Sequence, residues 1–467
     1  MHRTHDERNT RDFNIQPKKH AVRARAEALA AEMNDRDHWS RERLLEFQSG
    51  RLHEIVQYAV ANSTYYRRIV GDIGTGNIEL KQLPVLTKAT LMTEFDQIVT
   101  DRRLRLVDAE EHLASESAAE PMFGEYRIVG SGGTSGCRGV VVYDQSAWDV
   151  AVAGFLRLLA IQEVPESARV LGIGAPTPLH MTNRLFAELR GGRTDVPRLA
   201  VTTPPPEMVD ALNADQPEVL ITYPSVIRRL AEEQAAGRLE IAPWRFTSVA
   251  ETLTPNVREL ARDIWGARVL NAYGSTEANL IGVECPWASG LHVLEDLVIV
   301  EVVDEHNQPV PPGVTGHKLL ITNLYNRALP IIRYELSDLV TVADEPCACG
   351  RPHLRLASIQ GRREDMLSLP ASSGGKVEVH AFLMGETLLH MPEVRQYQLR
   401  PQPGGLLVRV VLRPSASKNE VVRLAKQAIM EELDKIGADV SMLEVRAVNE
   451  IGRVGGGAKE KLVSVSA

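Results

Sequence analysis

Between two apolar runs the chain reads Asn271-Ala-Tyr-Gly-Ser-Thr-Glu277, so an aromatic ring, a glycine, a hydroxyl and a carboxylate stand together in one short string. Each residue type suits one part of a metal-bound nucleotide. Tyr273 could stack on a purine, and Gly274 would let a backbone come close to a ligand. Thr276 could meet a phosphate or a carboxylate, and Glu277 could hold Mg²⁺ through oxygen. The same string also reads as a turn capping a helix that begins at Thr276. The assignment therefore has to rest on other segments.

Gly130-Ser-Gly-Gly-Thr-Ser-Gly136 is the second such segment. It follows the strand-like Tyr126-Arg-Ile-Val129 and precedes the strand-like Val140-Val-Val-Tyr143, which makes it a loop between two strands. A nucleotide P-loop would end in Gly-Lys-Ser/Thr and open a helix, whereas Gly136-Cys-Arg-Gly139 runs into a β pattern. What survives is a loop whose backbone N–H groups, with Ser131, Thr134 and Ser135, could wrap a triphosphate. Turn geometry alone would also explain its glycines.

Two charged strings lie downstream, each beside an expected strand end: Arg333-Tyr-Glu-Leu-Ser-Asp338 and Ile359-Gln-Gly-Arg-Arg-Glu-Asp-Met-Leu367. Asp338 can accept both hydroxyls of a ribose, and Arg362 can donate to the same sugar or to a phosphate. Surface ion pairing is the alternative for both.

Cysteine placement points to a second chemistry. Cys137 falls in the glycine loop, whereas Cys285 precedes His292 and Cys347-Ala-Cys349-Gly350 forms a close pair. Disulfides are rare in a cytosolic chain, and Cys285, His292, Cys347 and Cys349 supply the donors of a tetrahedral Cys₃His zinc site. Such a closed shell leaves no position for substrate, so its role would be structural. His353 is the rival fourth ligand, and three buried free thiols are the alternative.

These residues need elements to hold them. Residues 1–40 are highly charged, with an Ala-rich helical piece over Val22–Met33, and read as a poorly anchored extension able to wrap a neighbour or a second subunit of a homodimer. From 41 to 361, helical patterns alternate with β runs such as Val170-Leu-Gly-Ile173, Val219-Leu-Ile-Thr222 and Val269-Leu-Asn-Ala272, the pattern of an α/β domain. Pro204-Pro-Pro206 reads as a loop. Over 362–467 a strand at Leu406–Leu412, an amphipathic helix at Asn419–Ile436 and a strand at Leu443–Val448 make a small α+β unit. The amphipathic helix lines up Val422, Ala425, Ile429, Leu433 and Ile436 on one face.

At 467 residues and 44% hydrophobic content the chain can hold one large and one small domain. A net charge of −8 advertises no surface for nucleic acid. No apolar run approaches the roughly 20 residues needed to span a membrane, and the amino terminus has no secretory apolar region. A soluble cytoplasmic protein is the expectation.

Taken in order, the glycine-hydroxyl loop, Tyr273-Gly-Ser-Thr-Glu277, Arg333-Tyr-Glu-Leu-Ser-Asp338 and Gly361-Arg-Arg-Glu-Asp365 resemble the signature segments of the adenylate-forming superfamily. That superfamily includes acyl-CoA synthetases, luciferases and peptide-synthetase adenylation domains. Leu44-Leu-Glu-Phe47, Tyr65-Tyr66, Leu83-Pro-Val-Leu-Thr-Lys88 and Gly290-Leu-His-Val-Leu-Glu-Asp296 are similar to the phenylacetate-CoA ligase and coenzyme F390 synthetase branch.

The resemblance implies a large multi-subdomain α/β domain binding ATP and acid, and a small mobile α+β lid. It also implies ATP, Mg²⁺ and CoA as cofactors. The nucleotide set is then Ser131, Gly133, Thr134, Ser135, Gly136, Ala272, Tyr273, Gly274, Thr276, Asp338 and Arg362, with Glu277 holding magnesium and Glu364 and Asp365 at the hinge. In such enzymes a lysine on a glycine-rich loop of the lid stabilises charge during adenylation. Here Gly455-Gly-Gly-Ala-Lys459-Glu-Lys461 nominates Lys459, with Thr276 and Glu277 as its catalytic companions and Lys461 as the alternative.

By the same analogy Gly172–His180 and Ile221–Val226 are walls for the acid, with His180 as a candidate lining residue. Ala175-Pro-Thr-Pro-Leu-His180 departs from the glycine- and aromatic-rich equivalent expected of phenylacetate ligases, which favours another aryl or a small acid. The implied activity is formation of an acyl-adenylate with release of pyrophosphate, then transfer to CoA thiol. The alternatives are an adenylating enzyme that serves a carrier-protein thiol or an amine or activates another oxyanion, and a non-catalytic nucleotide binder.

Overall fold

The computed structural model describes residues 9–70, 79–130, 139–189, 196–287, 290–381, 384, 387–388, 391, 393–402, 405–413, 416–440, 442–451, 453–454 and 459–460. Its frame is a nine-stranded sheet, ordered β13-β14-β9-β8-β7-β6-β5-β3-β4. One half is parallel: β3 (Val170–Gly174), β4 (Arg198–Ala200), β5 (Val219–Thr222), β6 (Arg245–Ser248) and the start of β7 (Arg268–Ser275). The other half is antiparallel: the end of β7, then β8 (Asn279–Glu284), β9 (Leu291–Val293), β14 (Arg355–Arg362) and β13 (Asp338–Val342).

Burial on both faces explains why the parallel strands read as continuous apolar runs rather than alternating ones. On β5, Val219 and Ile221 enter one core while Leu220 enters the other, because successive side chains point to opposite faces. The first core also takes in β1 (Arg127–Gly130), β2 (Val140–Tyr143) and the buried Gln145–Ile161 helix, whose amino end is capped by the Asp144 carboxylate accepting from Ala147 N–H at 2.7 Å. Beside the sheet, β10 (Val298–Val303), β11 (Lys318–Asn323) and β12 (Tyr334–Leu336) form a three-stranded sheet.

A separate apolar core lies further along the chain. It gathers Leu367 and Leu369 on β15 (Met366–Pro370), paired with β16 (Lys376–His380), and the sheet of β17 (Val394–Gln402), β18 (Gly405–Leu412) and β19 (Met442–Val448). The Lys418–Lys435 helix supplies Val421, Ala425, Ile429 and Leu433 to it, at the spacing of one helix face. The chain then forms the short pair β20 (Arg453–Val454) and β21 (Lys459–Glu460).

Three local readings differ from the structure. Pro204 precedes a helix over Pro205–Asp215, because a proline with its fixed φ is well suited to a first helical turn. The string at 271–277 caps no helix; it is the turn of the β7–β8 hairpin. The charged amino-terminal segment is anchored from Val22 onward. It belongs to the Asn9–Arg36 helix, which buries Val22, Ala26, Ala30 and Met33 and pairs Arg25 with Asp149 and Arg36 with Asp296. Its charges meet acidic partners more than a hundred residues away, which composition cannot reveal.

Candidate active site and metal centre

The parallel strands end at Gly174, Ala200, Thr222 and Ser248, and only β7 continues past them, from its pairing with β6 at Asn271 into its pairing with β8. Tyr273 and Glu277 therefore stand off the carboxyl edge of the parallel half, at the point where the sheet changes direction. That edge is where open α/β sheets place their ligands.

The hairpin tip is held from three sides. Tyr143 on β2 donates its hydroxyl to the Thr276 carbonyl at 2.7 Å, the Asn323 amide donates to the Glu277 carbonyl at 3.2 Å, and Tyr325 donates to the Ala278 carbonyl at 3.0 Å. Asn326 reaches back to the Val142 carbonyl at 2.8 Å. These bonds stitch the β1–β2 hairpin, whose paired ends Gly130 and Val140 flank the glycine loop, to the Thr276 turn. The loop residues Ser131, Gly133, Thr134, Ser135 and Gly136 lie outside the described residues, so only the flanks of that loop are located.

Glu277 is buried, and one of its carboxylate oxygens accepts from the Tyr334 hydroxyl at 3.0 Å. That hydrogen bond positions a carboxylate that offers oxygen to a hard cation. A single protein carboxylate is what Mg²⁺ bound chiefly through substrate phosphates requires. The hairpin itself also requires a glycine at 274: a Cβ there would stand 2.2 Å from the Asn279 carbonyl oxygen across the hairpin.

Asp338 and Arg362 face each other as register partners at the ends of β13 and β14, with Nε and Oδ1 4.0 Å apart. The Tyr273 hydroxyl is buried beside Asp338. Burial first, and the Asp338 carboxylate second, push this phenol well above its ordinary pKa, so it stays protonated. Tyr273, Asp338 and Arg362 thus converge from three strands. Arg333, in contrast, serves the frame: it is buried, pairs with Glu301 at 3.0 Å and donates to the Leu83 carbonyl at 2.7 Å.

Glu364 and Asp365 lie in one 3₁₀ turn, Arg363–Asp365, between β14 and β15 and so between the two sets of cores. Arg363 on that turn donates its N–H to the Ser337 carbonyl at 2.7 Å and pairs with Glu335 at 3.1 Å. Lys459 opens β21 opposite Val454, while Gly455–Ala458 and Lys461 lie outside the described residues. Of the segments expected to wall the acid, Gly172–Gly174 and Ile221–Thr222 are the adjacent ends of β3 and β5, and His180 is the residue before the Met181–Glu188 helix.

The metal candidates come together at the far end of the same antiparallel strands. Donor atoms of Cys285, His292, Cys347 and Cys349 all lie within 4.8 Å of one another. Cys285 and Cys347 sulfurs are 3.8 Å apart, and Cys349 Sγ is 3.3 Å from His292 Nε2. Tetrahedral zinc, with bonds of about 2.3 Å to sulfur and 2.0–2.1 Å to nitrogen, would space two sulfurs by about 3.8 Å and a sulfur and nitrogen by about 3.6 Å. The donor set fits the ion.

Burial pushes the Cys285 thiol up to about 12. Burial, reinforced by His353 and Arg351, brings His292 down to about 4. The imidazole is therefore neutral and able to ligate. His353 is taken elsewhere: its Nε2 meets Asp37 Oδ1 at 2.8 Å.

Sequence reasoning passed over the residues that hold the site, namely Tyr143, Asn323, Tyr325 and the Tyr334 hydroxyl. Their signal was weak, since what marks them is a contact across the fold rather than a spacing along the chain.

A family model for AMP-binding enzymes matches residues 131–322, the stretch from the glycine loop through β11. The phenylacetate-coenzyme A ligase of Thermus thermophilus is 27% identical over 437 residues, covering 88% of this chain and 90% of that protein. The phenylacetate-coenzyme A ligase of Aromatoleum evansii is 26% identical, covering 84% of this chain and 87% of its own. Over most of its length the chain is similar to these ligases, and over residues 131–322 to AMP-binding enzymes.

Among solved structures, 2-hydroxyisobutyryl-CoA ligase in its postadenylation state superposes with a TM-score of 0.71 at 19% identity, over 90% of this chain and 89% of that one. The same ligase in its thioesterification state gives 0.58 over 91% and 90%. The superposition on the first of these is the tighter of the two.

Proposed function

We propose that this protein is an adenylate-forming enzyme that activates a carboxylic acid, aryl or small, with ATP and passes the acyl group to the thiol of CoA. The observation that carries the reading is the convergence of Tyr273, Glu277, Asp338 and Arg362 at the carboxyl edge where the parallel half of the sheet meets the antiparallel half. In the first half-reaction an acid oxygen attacks the α-phosphorus, the bond to the bridging oxygen breaks, and pyrophosphate leaves. Catalysis is then mostly positioning and charge stabilisation.

Tyr273 packs against the base, Asp338 accepts the ribose hydroxyls, Arg362 donates to ribose or phosphate, and Thr276 lies beside the reacting oxygens. Ala272 and Gly274 complete the backbone wall. Ser131, Gly133, Thr134, Ser135 and Gly136 are the residues that would bind the triphosphate, and Glu277 is the residue that would hold Mg²⁺, which when bound neutralises phosphate charge. Lys459 stabilises charge on the reacting phosphate. In the second half-reaction the CoA sulfur attacks the acyl carbon and AMP leaves, after the small domain turns about Glu364 and Asp365.

Cys285, His292, Cys347 and Cys349 hold a structural zinc in this reading. Its support is the match of the 3.8 and 3.3 Å donor spacings to a tetrahedral ion.

The decisive experiment is acid-dependent ATP–pyrophosphate exchange across aryl, aliphatic and amino acids, with Lys459→Ala alongside, followed by turnover with and without CoA. Exchange lost in the variant and product formed only with CoA are expected. Absence of exchange with every acid, despite ATP binding, would overturn the reading.

A further inference from the structure

One contact between the large and small domains is used by none of these roles. Glu232 lies in the Pro224–Ala235 helix of the large domain, and its two carboxylate oxygens face two arginines of the small domain. Arg395 Nε is 3.1 Å from one oxygen, and an Arg413 guanidinium nitrogen is 3.7 Å from the other. The two arginines are at the same end of the β17–β18 pair, where Val394 faces Leu412 and Arg413 N–H donates to the Glu393 carbonyl at 2.9 Å. They therefore move as one unit with their sheet.

The Glu232 helix begins directly after β5, with Ser225 held through N–H and hydroxyl by Glu251, both at 3.1 Å. The helix thus runs from the candidate acid wall to the small-domain contact, about 12 Å at 1.5 Å per residue.

We infer that Glu232, Arg395 and Arg413 form an electrostatic latch that holds the small domain in its adenylation arrangement and must open before acyl transfer. The inference rests on the proposed two-step reaction and concerns positioning residues, not groups that touch substrate. The side chains are 21%, 40% and 44% exposed, so the latch is screened by salt rather than sealed from it. An exposed ion pair contributes little to folding, but it is worth up to roughly a fivefold change in an equilibrium constant. That suffices to bias two arrangements that must both be visited in every turnover.

The test compares Glu232→Gln and a charge-swapped triple variant (Glu232→Arg, Arg395→Glu, Arg413→Glu) with the parent chain. Electron–electron distances are read between labels on noncanonical residues at the exposed positions Glu259 and Gln427, and the two half-reactions are timed separately. Glu232→Gln is expected to add a second distance population, and to slow pyrophosphate exchange by about two- to fivefold without slowing acyl transfer from preformed adenylate. The swap should restore the parent distribution, and about 0.5 M salt should move the parent toward the Gln variant. Identical distributions in parent and Gln variant would overturn the latch, whatever the activity. A shifted distribution in a protein that exchanges no pyrophosphate would support the latch as a domain contact and sink the ligase reading instead.

Discussion

At Gly274 the hairpin itself forbids a side chain. A methyl group there would meet the Asn279 carbonyl at 2.2 Å, and backbone cannot yield as a side chain can. Gly274→Ala is expected to open the β7–β8 tip, at a cost of about 1–3 kcal/mol, and to weaken ATP binding by displacing Tyr273 and Glu277. Thermal unfolding together with nucleotide titration checks both. Glu277 gives a cleaner separation of chemistry from fold. In Glu277→Gln an amide oxygen can still accept from Tyr334, so the melting temperature should stay close to the parent's. Loss of the negative charge, however, should lower kcat/KM for ATP by about 10²-fold and raise the magnesium needed for half-maximal rate. An unchanged magnesium requirement would move the metal-binding role off Glu277.

Among the elements, β8, β9, β13 and β14 connect two sites that the sequence shows only as separate strings. Tyr273, Asp338 and Arg362 cluster at one end of these strands, and Cys285, Cys347 and Cys349 follow or precede the other end. A zinc ion held there would fix the register of the strands that carry Asp338 and Arg362. About one zinc per chain is expected on metal analysis, lost in Cys347→Ser/Cys349→Ser along with thermal stability, with ATP affinity falling although no nucleotide contact changes. Protein that carries no metal after careful purification would end the idea.

The close cysteine pair and the four charged or glycine-rich strings were legible because short spacings constrain geometry locally. The choice between His292 and His353 was not. It depends on β9 pairing with β14 and on Asp37 reaching His353 across 316 residues. The strands and the Lys418–Lys435 helix were likewise readable from periodicity, whereas the hairpin at Thr276 was masked by a string that also suits a helix cap.

Seen across the whole molecule, the amino-terminal helix is fastened by a buried charge network that composition disguised as a solvated tail. Arg157, fully buried, pairs with Asp37 and, at 2.7 Å, with Asp296; Arg36 reaches Asp296 at 2.7 Å and His353 reaches Asp37. Burial alone would raise the Asp37 carboxyl, but the His353 hydrogen bond and the Arg157 guanidinium hold it well below the usual carboxylate range. A folded-state pKa below the unfolded value of about 3.9 means that Asp37 contributes its full stability above that pH. The contribution fades as the pH falls through the window beneath it.

Removing Asp37 leaves Arg157 with its charge inside the core and Asp296 as its remaining carboxylate partner. Asp37→Asn is therefore expected to cost about 3–5 kcal/mol in denaturant unfolding at neutral pH. The gap between variant and parent should narrow steadily as the pH is lowered below about 4, because the parent's unfolded chain then takes up a proton on Asp37 that its folded state does not. A gap that stayed constant through that window would mean that the network's contribution comes from shape and hydrogen bonding rather than from the charge on Asp37. The amino-terminal helix would then be held by Val22, Ala26, Ala30 and Met33 rather than by its ion pairs.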